Sequence, residues 1–289
     1  MEIVYHLGAH GTNQTRIVRT LLNNRDALWQ RGIKIPAPGS YRGVFGDAIA
    51  ALKGHEATEE MQDMLLDSLL DSEEANRIIL SQPTFLGMPR RALSIEGLYP
   101  RAPARMSGLS NLFPDSVVEF FLAVPHPARL ISDIIEASDD NYHDIMGSLD
   151  PTTLRWAPAI QNMLKAIGDR ELVIWAQEDL PFIWPDVLRR IANVPADFAL
   201  NGDFDILSDL LPAPVVDDLA SRFAELPPDS ADQRHELIEQ ALAHAEPDKM
   251  EAAISLPGWT QDLIDRITED YHDDLDEIAA LPGVEFISA

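Results

Sequence analysis

The feature that most constrains this fold is a regular alternation of short apolar runs with amphipathic segments of helical period. Five apolar runs bounded by turn residues predict strands, at residues 2–7, 77–82, 117–124, 171–176 and 284–288. Helical spacing lies between them, as in residues 15–30, which place Ile17, Leu21 and Leu28 on one face. Strands that alternate with helices are typical of a parallel sheet with helices on both faces. The sequence therefore predicts an α/β fold with a mostly parallel central sheet.

The other helical segments lead to a C-terminal region of different character. Helical spacing also covers residues 58–76, 126–138, 150–168, 184–194 and 258–281, and the last segment starts near a Thr260 cap. Residues 200–258 are acidic, helical and interrupted by prolines. Since no clear linker separates them, we expect a single domain over residues 1–289, with residues 200–258 as an acidic helical subdomain or insertion within it.

The formal net charge is −26, and most of it lies near the C-terminus. Residues 201–289 hold 22 acidic against 4 basic residues, a net charge of −18. Such a surface repels nucleic acid and anionic membranes, so neither is expected as a partner. One interpretation is a solubility or salt-adaptation surface. Another is a face that attracts a cationic partner.

Absent residue types exclude several classes of protein. Without cysteine, the chain has no disulfides, no thiolate metal sites and no cysteine nucleophile. No apolar run reaches the ~18–20 residues that a bilayer-spanning helix needs. The opening Met-Glu-Ile-Val-Tyr lacks the basic and apolar regions of a secretory signal. We therefore expect a cytoplasmic protein.

The most informative motif is the turn after the first predicted strand, HLGAHGTNQTRIV at residues 6–18. A strand that passes through a glycine-containing turn into a helix aims backbone N–H groups at an anion. Started at Gly8, the template G-x-x-x-x-G-K-[ST] reaches Asn13, Gln14 and Thr15, so its second glycine and its lysine are missing. The turn is a poor nucleoside-triphosphate site, because no lysine reaches the phosphates.

This opening resembles that of bacterial sulfotransferase-like proteins, where H-x-G-x-H-K-T-G-T-T precedes a helix and a G-I-x-Y/I-P turn. Four later segments are similar to family motifs in the same order. They are IILSQPTFLGMPRR, the stretch from LYPRAP to IIEAS, ELVIWAQEDLPFIWPDVLRRI, and LPGWTQDLIDRITEDYHDDLDEIAALPGVEFI. The resemblance covers nearly the whole chain. It implies the P-loop NTPase/sulfotransferase-like version of the α/β fold.

The resemblance also implies a donor and a chemistry. In the family the donor is 3′-phosphoadenosine 5′-phosphosulfate (PAPS), whose sulfuryl group passes in line to an acceptor hydroxyl. This transfer depends on cations and N–H groups that stabilise the developing charge. Our candidate catalytic residue is His10, which keeps its family position and could donate to a bound oxyanion. Candidate donor-binding residues are Gly8, Gly11, Thr12, Asn13, Gln14, Thr15, Arg129 and Ser132.

Several family positions hold residues that cannot do the expected work. The loop lysine falls on Gly11, the 3′-phosphate arginine on Pro125, and the second-strand glutamate on Pro83. Each lost charged hydrogen bond to phosphate costs ~1.5–3 kcal/mol, so donor binding would fall from micromolar to millimolar or vanish. Arg129 lies about one helical turn past Pro125 and could reach the same anion. Its alternative role is an ordinary surface charge.

The densest basic cluster of the chain follows the second predicted strand. It consists of Arg90, Arg91, Arg101 and Arg105. We place it near the mouth of the expected cleft, where it could meet an anion. The alternative is that these are isolated surface charges.

Other candidate sites are weaker. His272 and Asp276 have the i, i+4 spacing of metal ligands, but an acidic helix produces such pairs freely, so no metal is expected. Glu178 and Asp179 follow a strand end, where α/β sites gather, and their alternative role is to cap the next helix.

Three functions remain open from the sequence. The first is a sulfotransferase-like protein with lost or weakened PAPS binding, either inactive or adapted to another small anion or nucleotide in the cleft. The second is an active sulfotransferase with substituted contacts. The third is an acidic binding or scaffold protein. Binding of any ligand in the cleft, by an adapted protein or by an active sulfotransferase, requires an open turn at residues 8–15 whose amides can reach that ligand.

Overall fold

The computed structural model describes residues 1–70, 74–138, 140–225, 230–246, 249, 254 and 256–289. A six-stranded sheet lies at its centre, and every pair of neighbouring strands in it is parallel. Its strands are β1 (Glu2–His6), β2 (Ile33–Lys34), β3 (Arg77–Ser81), β6 (Val117–Val124), β7 (Glu171–Ala176) and β8 (Val284–Ile287). A separate hairpin joins β4 (Leu93–Ser94) to β5 (Gly97–Leu98). The predicted parallel sheet is confirmed.

The sheet order is β2-β3-β1-β6-β7-β8. All five predicted strands are present with bounds within one or two residues of those expected. The sequence missed β2, β4 and β5, because a two-residue strand leaves no alternating pattern to read.

The described helices are α1 (Gln14–Asn23), α2 (Arg25–Trp29), α3 (Pro38–Leu52), α4 (Glu59–Leu70), α5 (Ala102–Ser110), α6 (Pro127–Glu136), α7 (Tyr142–Met146), α8 (Trp156–Ile167), α9 (Leu180–Ala192), α10 (Asp205–Leu210), α11 (Ala213–Glu225), α12 (Ala231–Leu242) and α13 (Gln261–Ala279). Among these described helices, none is both long and apolar enough to cross a bilayer.

The helix expected over residues 15–30 is two helices, α1 and α2, which meet at Asn24. The buried Asn24 side chain donates to the carbonyls of Thr20 and Asn201. It also accepts from the Asn201 N–H, so the break is held by tertiary hydrogen bonds. Helical periodicity alone does not reveal such a break.

Helix α3 escaped prediction because its sequence carries Gly39, Gly43 and Gly46, which lower intrinsic helix propensity. Tertiary burial compensates. Tyr41 is fully buried and Phe45 nearly so, both in the core under the sheet. Tyr41 also exchanges hydrogen bonds with the backbone of Ser81, which fixes α3 against the end of β3.

Alternate strand residues face two helical layers. Ile3 and Tyr5 of β1 pack on the layer that contains α3, α4, α5, α6, α8 and α13. Val4 faces the opposite layer, formed by α1, α2 and α9. Both faces of the sheet are therefore covered, as expected for parallel strands.

Arginines from β3 and α9 bind carboxylates at the start of the strands. Arg190 of α9 lies within 3.0 Å of carboxylate oxygens of Glu119, Glu171 and Glu285. Arg77 of β3 donates to the Ile191 carbonyl and contacts Glu119. These ion pairs hold the amino-terminal edge of the sheet, opposite the edge where sites of α/β proteins gather.

Helices α10, α11 and α12 pack on one another around a small core of their own. Its buried members are Leu207, Leu211, Val216, Leu219, Ile238 and Ala241. This core borders α9 through Phe182. The acidic subdomain expected at residues 200–258 falls partly on these helices. Its later part lies largely outside the described residues.

Candidate functional site

The strand order places a crevice at the carboxyl edge of the sheet between β1 and β6. From β1 the chain moves toward β2 and β3, whereas from β6 it moves toward β7 and β8. The segments that follow β1 and β6 therefore leave in opposite directions. Ligands of open α/β sheets bind at such a topological switch point. The turn at residues 7–13 and the segment Pro125–His126 both border this crevice.

The turn after β1 is shaped by two glycines with positive φ. Gly8 has φ +60° and Gly11 has φ +76°, a region that non-glycine side chains adopt at a cost. Thr12 closes the turn, since its hydroxyl and its N–H both donate to the Ala9 carbonyl. Asn13 precedes α1 without a side-chain cap hydrogen bond.

His10 is buried in this turn and is held by Tyr99. The His10 N–H donates to the Tyr99 hydroxyl at 3.0 Å, and the His10 Nδ1 lies 2.8 Å from the same oxygen. The two rings stack with an interplanar angle of 2°. The arrangement that uses every proton has Tyr99 donating to Nδ1, which leaves the proton of the neutral ring on Nε2.

In this pair of His10 and Tyr99, the N–H at Nε2 of His10 is the donor that makes no hydrogen bond within the described structure. It is buried and has no hydrogen-bond partner among the described residues. Burial lowers the pKa of His10, so the ring is neutral at pH 7. His10 can therefore offer a single N–H to a ligand but not a positive charge.

The position expected to hold the loop lysine is filled by a carboxylate. A Cβ built on Gly11 would overlap the carboxylate of Asp133, a buried residue of α6. Arg129, one turn earlier on the same helix, pairs with Asp133 through Nε at 2.9 Å. Arg129, the expected substitute for the 3′-phosphate arginine, thus has an internal partner.

Electrostatics at this point disfavour a bound anion. Burial raises the pKa of Asp133, and the Arg129 guanidinium opposes that rise. The net effect is a raised pKa of Asp133, so keeping this carboxylate ionised lowers the stability of the folded state. Burial is the largest cause that raises the pKa of Tyr99 above its usual range. The nearby charge of Asp133 raises it further.

The remaining predicted site residues are dispersed. Thr15 is exposed and Ser132 is half-buried on α6, next to Asp133. Gln14 begins α1, and its side chain lies outside the described part of the structure. Pro125 contributes its carbonyl oxygen, which accepts from the Trp156 indole N–H at 2.8 Å. The structure brings His10 and Gly11 together with Arg129 through Asp133, which lies against Gly11 and pairs with Arg129. The Thr12 hydroxyl is already used in a hydrogen bond within the turn.

A cavity of about 520 Å³ opens beside the turn, between α1, the start of α3 and the end of β3. It is lined by Thr15, Val18, Arg19, Leu22, Asn23, Pro38, Ser81 and Pro83. Arg19 is the one cation of this lining. No carboxylate or imidazole is among these described lining residues, and the Ser81 hydroxyl already bonds to the His6 ring at 2.9 Å. The cavity can hold a small molecule but presents no general base.

Glu178 joins three elements instead of capping the next helix. Its two oxygens accept from the His126 N–H at 2.8 Å and from the Tyr271 hydroxyl at 2.7 Å. The His126 ring accepts from the Ala128 N–H and contacts the Thr268 hydroxyl. Asp179 occupies the cap position of α9 without a side-chain hydrogen bond. The expected capping role of this pair is therefore wrong, and Glu178 ties β6 and β7 to α13.

The other candidates are also located by the structure. The described residues contain no group of three or more His, Asp or Glu that could hold a metal. Asp274 of α13 faces inward, since it accepts from the Trp156 N–H at 2.7 Å and pairs with Arg155. His272 and Asp276 remain exposed on the same helix.

Two residues of the site, Asp133 and Tyr99, were not anticipated. Asp133 did carry a signal, because it interrupts the apolar face formed by Leu130, Ile131 and Ile134 on α6. An acidic residue at a core position usually has a partner or a function. Tyr99 gave no sequence signal. Its position depends on the β4–β5 hairpin and on a left-handed backbone with φ +47°.

Comparison of the chain with protein-family models, with curated proteins and with solved structures gives no match. The family resemblance therefore rests on the five motifs and their order. The general α/β class rests on the structure.

Proposed function

We propose that this chain is a sulfotransferase-like protein whose donor site is closed from within, so that PAPS binds at best weakly. The proposal is supported by the order of the five sequence motifs and by a parallel sheet with a turn at its switch point. The observation that carries it is the Asp133 carboxylate, which lies against Gly11, where the family places a lysine.

The charge of Asp133 is large enough to weaken the binding of an anionic donor. Two negative charges roughly 5 Å apart repel by about 3 kcal/mol at an effective dielectric constant of about 20. That is a factor of more than about 100 in affinity. Arg129, paired with Asp133, offsets part of this charge, so the figure is an upper bound, and its guanidinium group is not free to bind a phosphate. The single N–H of His10 does not replace two lost cations.

The neighbouring cavity is consistent with a non-catalytic role. Pro83 stands where the family carries a glutamate and lines the 520 Å³ cavity. A hydroxyl acceptor in this cavity would meet Ser81, whose own hydroxyl is engaged by His6. General-base catalysis needs a titratable group within hydrogen-bond reach of the acceptor proton.

The active-enzyme alternative requires Asp133 to move. The Arg129 side chain is 46% exposed, so it could turn toward an incoming phosphate if Asp133 released it. This alternative predicts that PAPS itself opens the site. The acidic-scaffold alternative relies on the exposed carboxylates of α13 and predicts a cationic partner.

Isothermal titration with adenosine 3′,5′-bisphosphate and with PAPS tests the proposal. The wild type should show no binding tighter than about 1 mM. Asp133→Asn removes the repulsion and frees Arg129, so it should bind at least about 10-fold more tightly. Adding Arg129→Ala to that variant should reduce the gain, because only the relief of the repulsion then remains.

Asp276→Asn is the matched control, since it removes the same charge from an exposed position of α13. It should leave affinity within about twofold of wild type, because exposed distant charges are screened. Micromolar binding of either nucleotide by the wild-type protein would overturn the proposal. An equal gain in both single variants would show that net charge, and not Asp133, limits binding.

A further inference from the structure

Three arginines converge on the surface beyond β3, and the fold explains how. We call Arg91, Arg101 and Arg105 the arginine cluster. Arg91 ends a short 3-10 turn just before the β4–β5 hairpin. The hairpin brings the chain back, since the Tyr99 N–H donates to the Ala92 carbonyl at 2.6 Å. Arg101 and Arg105 then lie one helical turn apart, the Arg105 N–H donating to the Arg101 carbonyl.

The arginine cluster has no acidic partner in the described structure. Arg90, next in sequence, pairs with Asp140 at 2.6 Å. In the described residues, no carboxylate lies within 4.0 Å of the guanidinium groups of the cluster. Arg105 donates instead to the Thr84 carbonyl at 3.2 Å. Burial, and then the charges of Arg101 and Arg91, lower the pKa of Arg105, as expected if both of these guanidinium groups lie near that of Arg105.

The arginine cluster is a local positive patch on a chain with a net charge of −26, in which acidic residues outnumber basic residues by 48 to 22. Three neighbouring cations are suited to a tetrahedral oxyanion, which guanidinium groups bind through paired hydrogen bonds.

A cavity of about 730 Å³ adjoins the arginine cluster at Arg91. It lies between the 3-10 turn and the end of α6. Its lining is Met88, Pro89, Arg90, Arg91, Ala137, Ser138 and Asp140. Met88 is 57% exposed, so an apolar group would gain contact there. The volume is within the range of small-molecule sites.

We propose that the arginine cluster binds the anionic head of an organic phosphate or sulfate ester whose apolar body occupies the adjoining cavity. Three guanidinium groups match one or two negative charges, whereas the −26 charge of the whole chain repels a long polyanion. The residues of this site do not include Asp133 or Gly11.

Titration calorimetry at low ionic strength with phenyl phosphate, phenyl sulfate and inorganic phosphate tests this site. Phenyl phosphate should bind with a dissociation constant below about 1 mM. Arg91→Ala and Arg101→Ala should each weaken it about 10-fold or more, as expected for loss of a charged hydrogen bond. Arg25→Ala is the matched control, because its side chain is 75% exposed and remote in sequence.

Inorganic phosphate should bind at least about threefold more weakly than phenyl phosphate, because it cannot use the cavity. The ratio of the two phenyl esters identifies whether phosphate or sulfate is preferred. Circular dichroism and melting temperature check that the exposed substitutions leave the fold intact.

Absence of binding by both phenyl esters up to about 10 mM would overturn the proposal. An equal loss in Arg25→Ala would also overturn it, since the effect would then be general electrostatics. Equal affinity for inorganic and phenyl phosphate would refute the role of the cavity. Nucleotide binding by the Asp133 variants is measured separately, so failure of one proposal does not imply failure of the other.

Discussion

The histidine that ends β1 should make this protein sensitive to mild acid. His6 is 1% exposed, its Nδ1 lies 2.9 Å from the Ser81 hydroxyl oxygen, and its ring stacks on Trp175 at 6.0 Å. Burial lowers its pKa to about 3, against 6.5 for a free histidine. The folded state therefore keeps His6 neutral where the unfolded chain is already protonated.

The sign and size of the effect follow from linkage. Because the unfolded state binds more protons between the two pKa values, stability falls as the pH drops below about 6.5. Between about pH 7 and about pH 4.5, His6 alone should remove about 2.5 kcal/mol from the free energy of unfolding. For a domain with ordinary stability, this is a substantial fraction of the total.

The assay compares the wild type with His6→Asn, which keeps a polar group beside Ser81 but does not titrate. Urea unfolding followed by tryptophan fluorescence gives the free energy of unfolding at both pH values. The variant should lose about 2.5 kcal/mol less on acidification than the wild type. All other titrating groups are present in both proteins, so their contributions cancel when the two losses of stability are compared.

Unchanged m values would show that both proteins unfold from comparable native states. If the two proteins lose the same stability within about 0.5 kcal/mol, the reasoning that places a neutral His6 in the folded core is refuted.

Three further predictions concern the same structure. Tyr99→Phe should lower stability by about 2 kcal/mol in urea unfolding, because it leaves the buried N–H and Nδ1 of His10 without partners, and a loss below about 0.5 kcal/mol would contradict this. Arg190→Met should lower stability by about 3 kcal/mol, because Glu171 and Glu285 lose their cation and Glu119 keeps only Arg77; an unchanged denaturation midpoint would argue against it. Asp133→Asn should raise the melting temperature at pH 7 but not near pH 4, because the raised pKa of Asp133 means that its ionisation destabilises the folded state as the pH rises. A gain in melting temperature that is independent of pH would count against this explanation.

Much of the fold could be predicted from sequence because strand and helix patterns are local. Five strands were found, and the Thr260 cap was correct, since its hydroxyl accepts from the Leu263 N–H. The helix expected over residues 150–168 starts later than its spacing indicates, because Asp150 caps a different element. That element is a 3-10 turn at Pro151–Thr153, and α8 starts only at Trp156. Here Asp274 of α13 accepts from the Trp156 N–H, a contact that no local pattern contains.

The candidate site was less predictable, because its character depends on residues far apart in the chain. The turn at residues 8–15 and the absence of a lysine from it were visible in the sequence. The closing carboxylate was not, since Asp133 meets Gly11 only after β6 and α6 pack beside β1. The densest basic cluster was recognised as a group, but its three unpaired members and its paired Arg90 were separated only by the structure.

The sequence by itself determined the alternation of strands and helices, the uneven acidic charge and the absence of a lysine in the first turn. These properties are set by residue type and by short-range spacing. Tertiary structure decided which charges are paired, which donor is left over at His10, and which cavity lies beside the arginine cluster. Pairing and burial depend on distances between side chains that lie far apart in the chain, as between Arg155 and Asp274, and such distances exist only once the sheet has assembled.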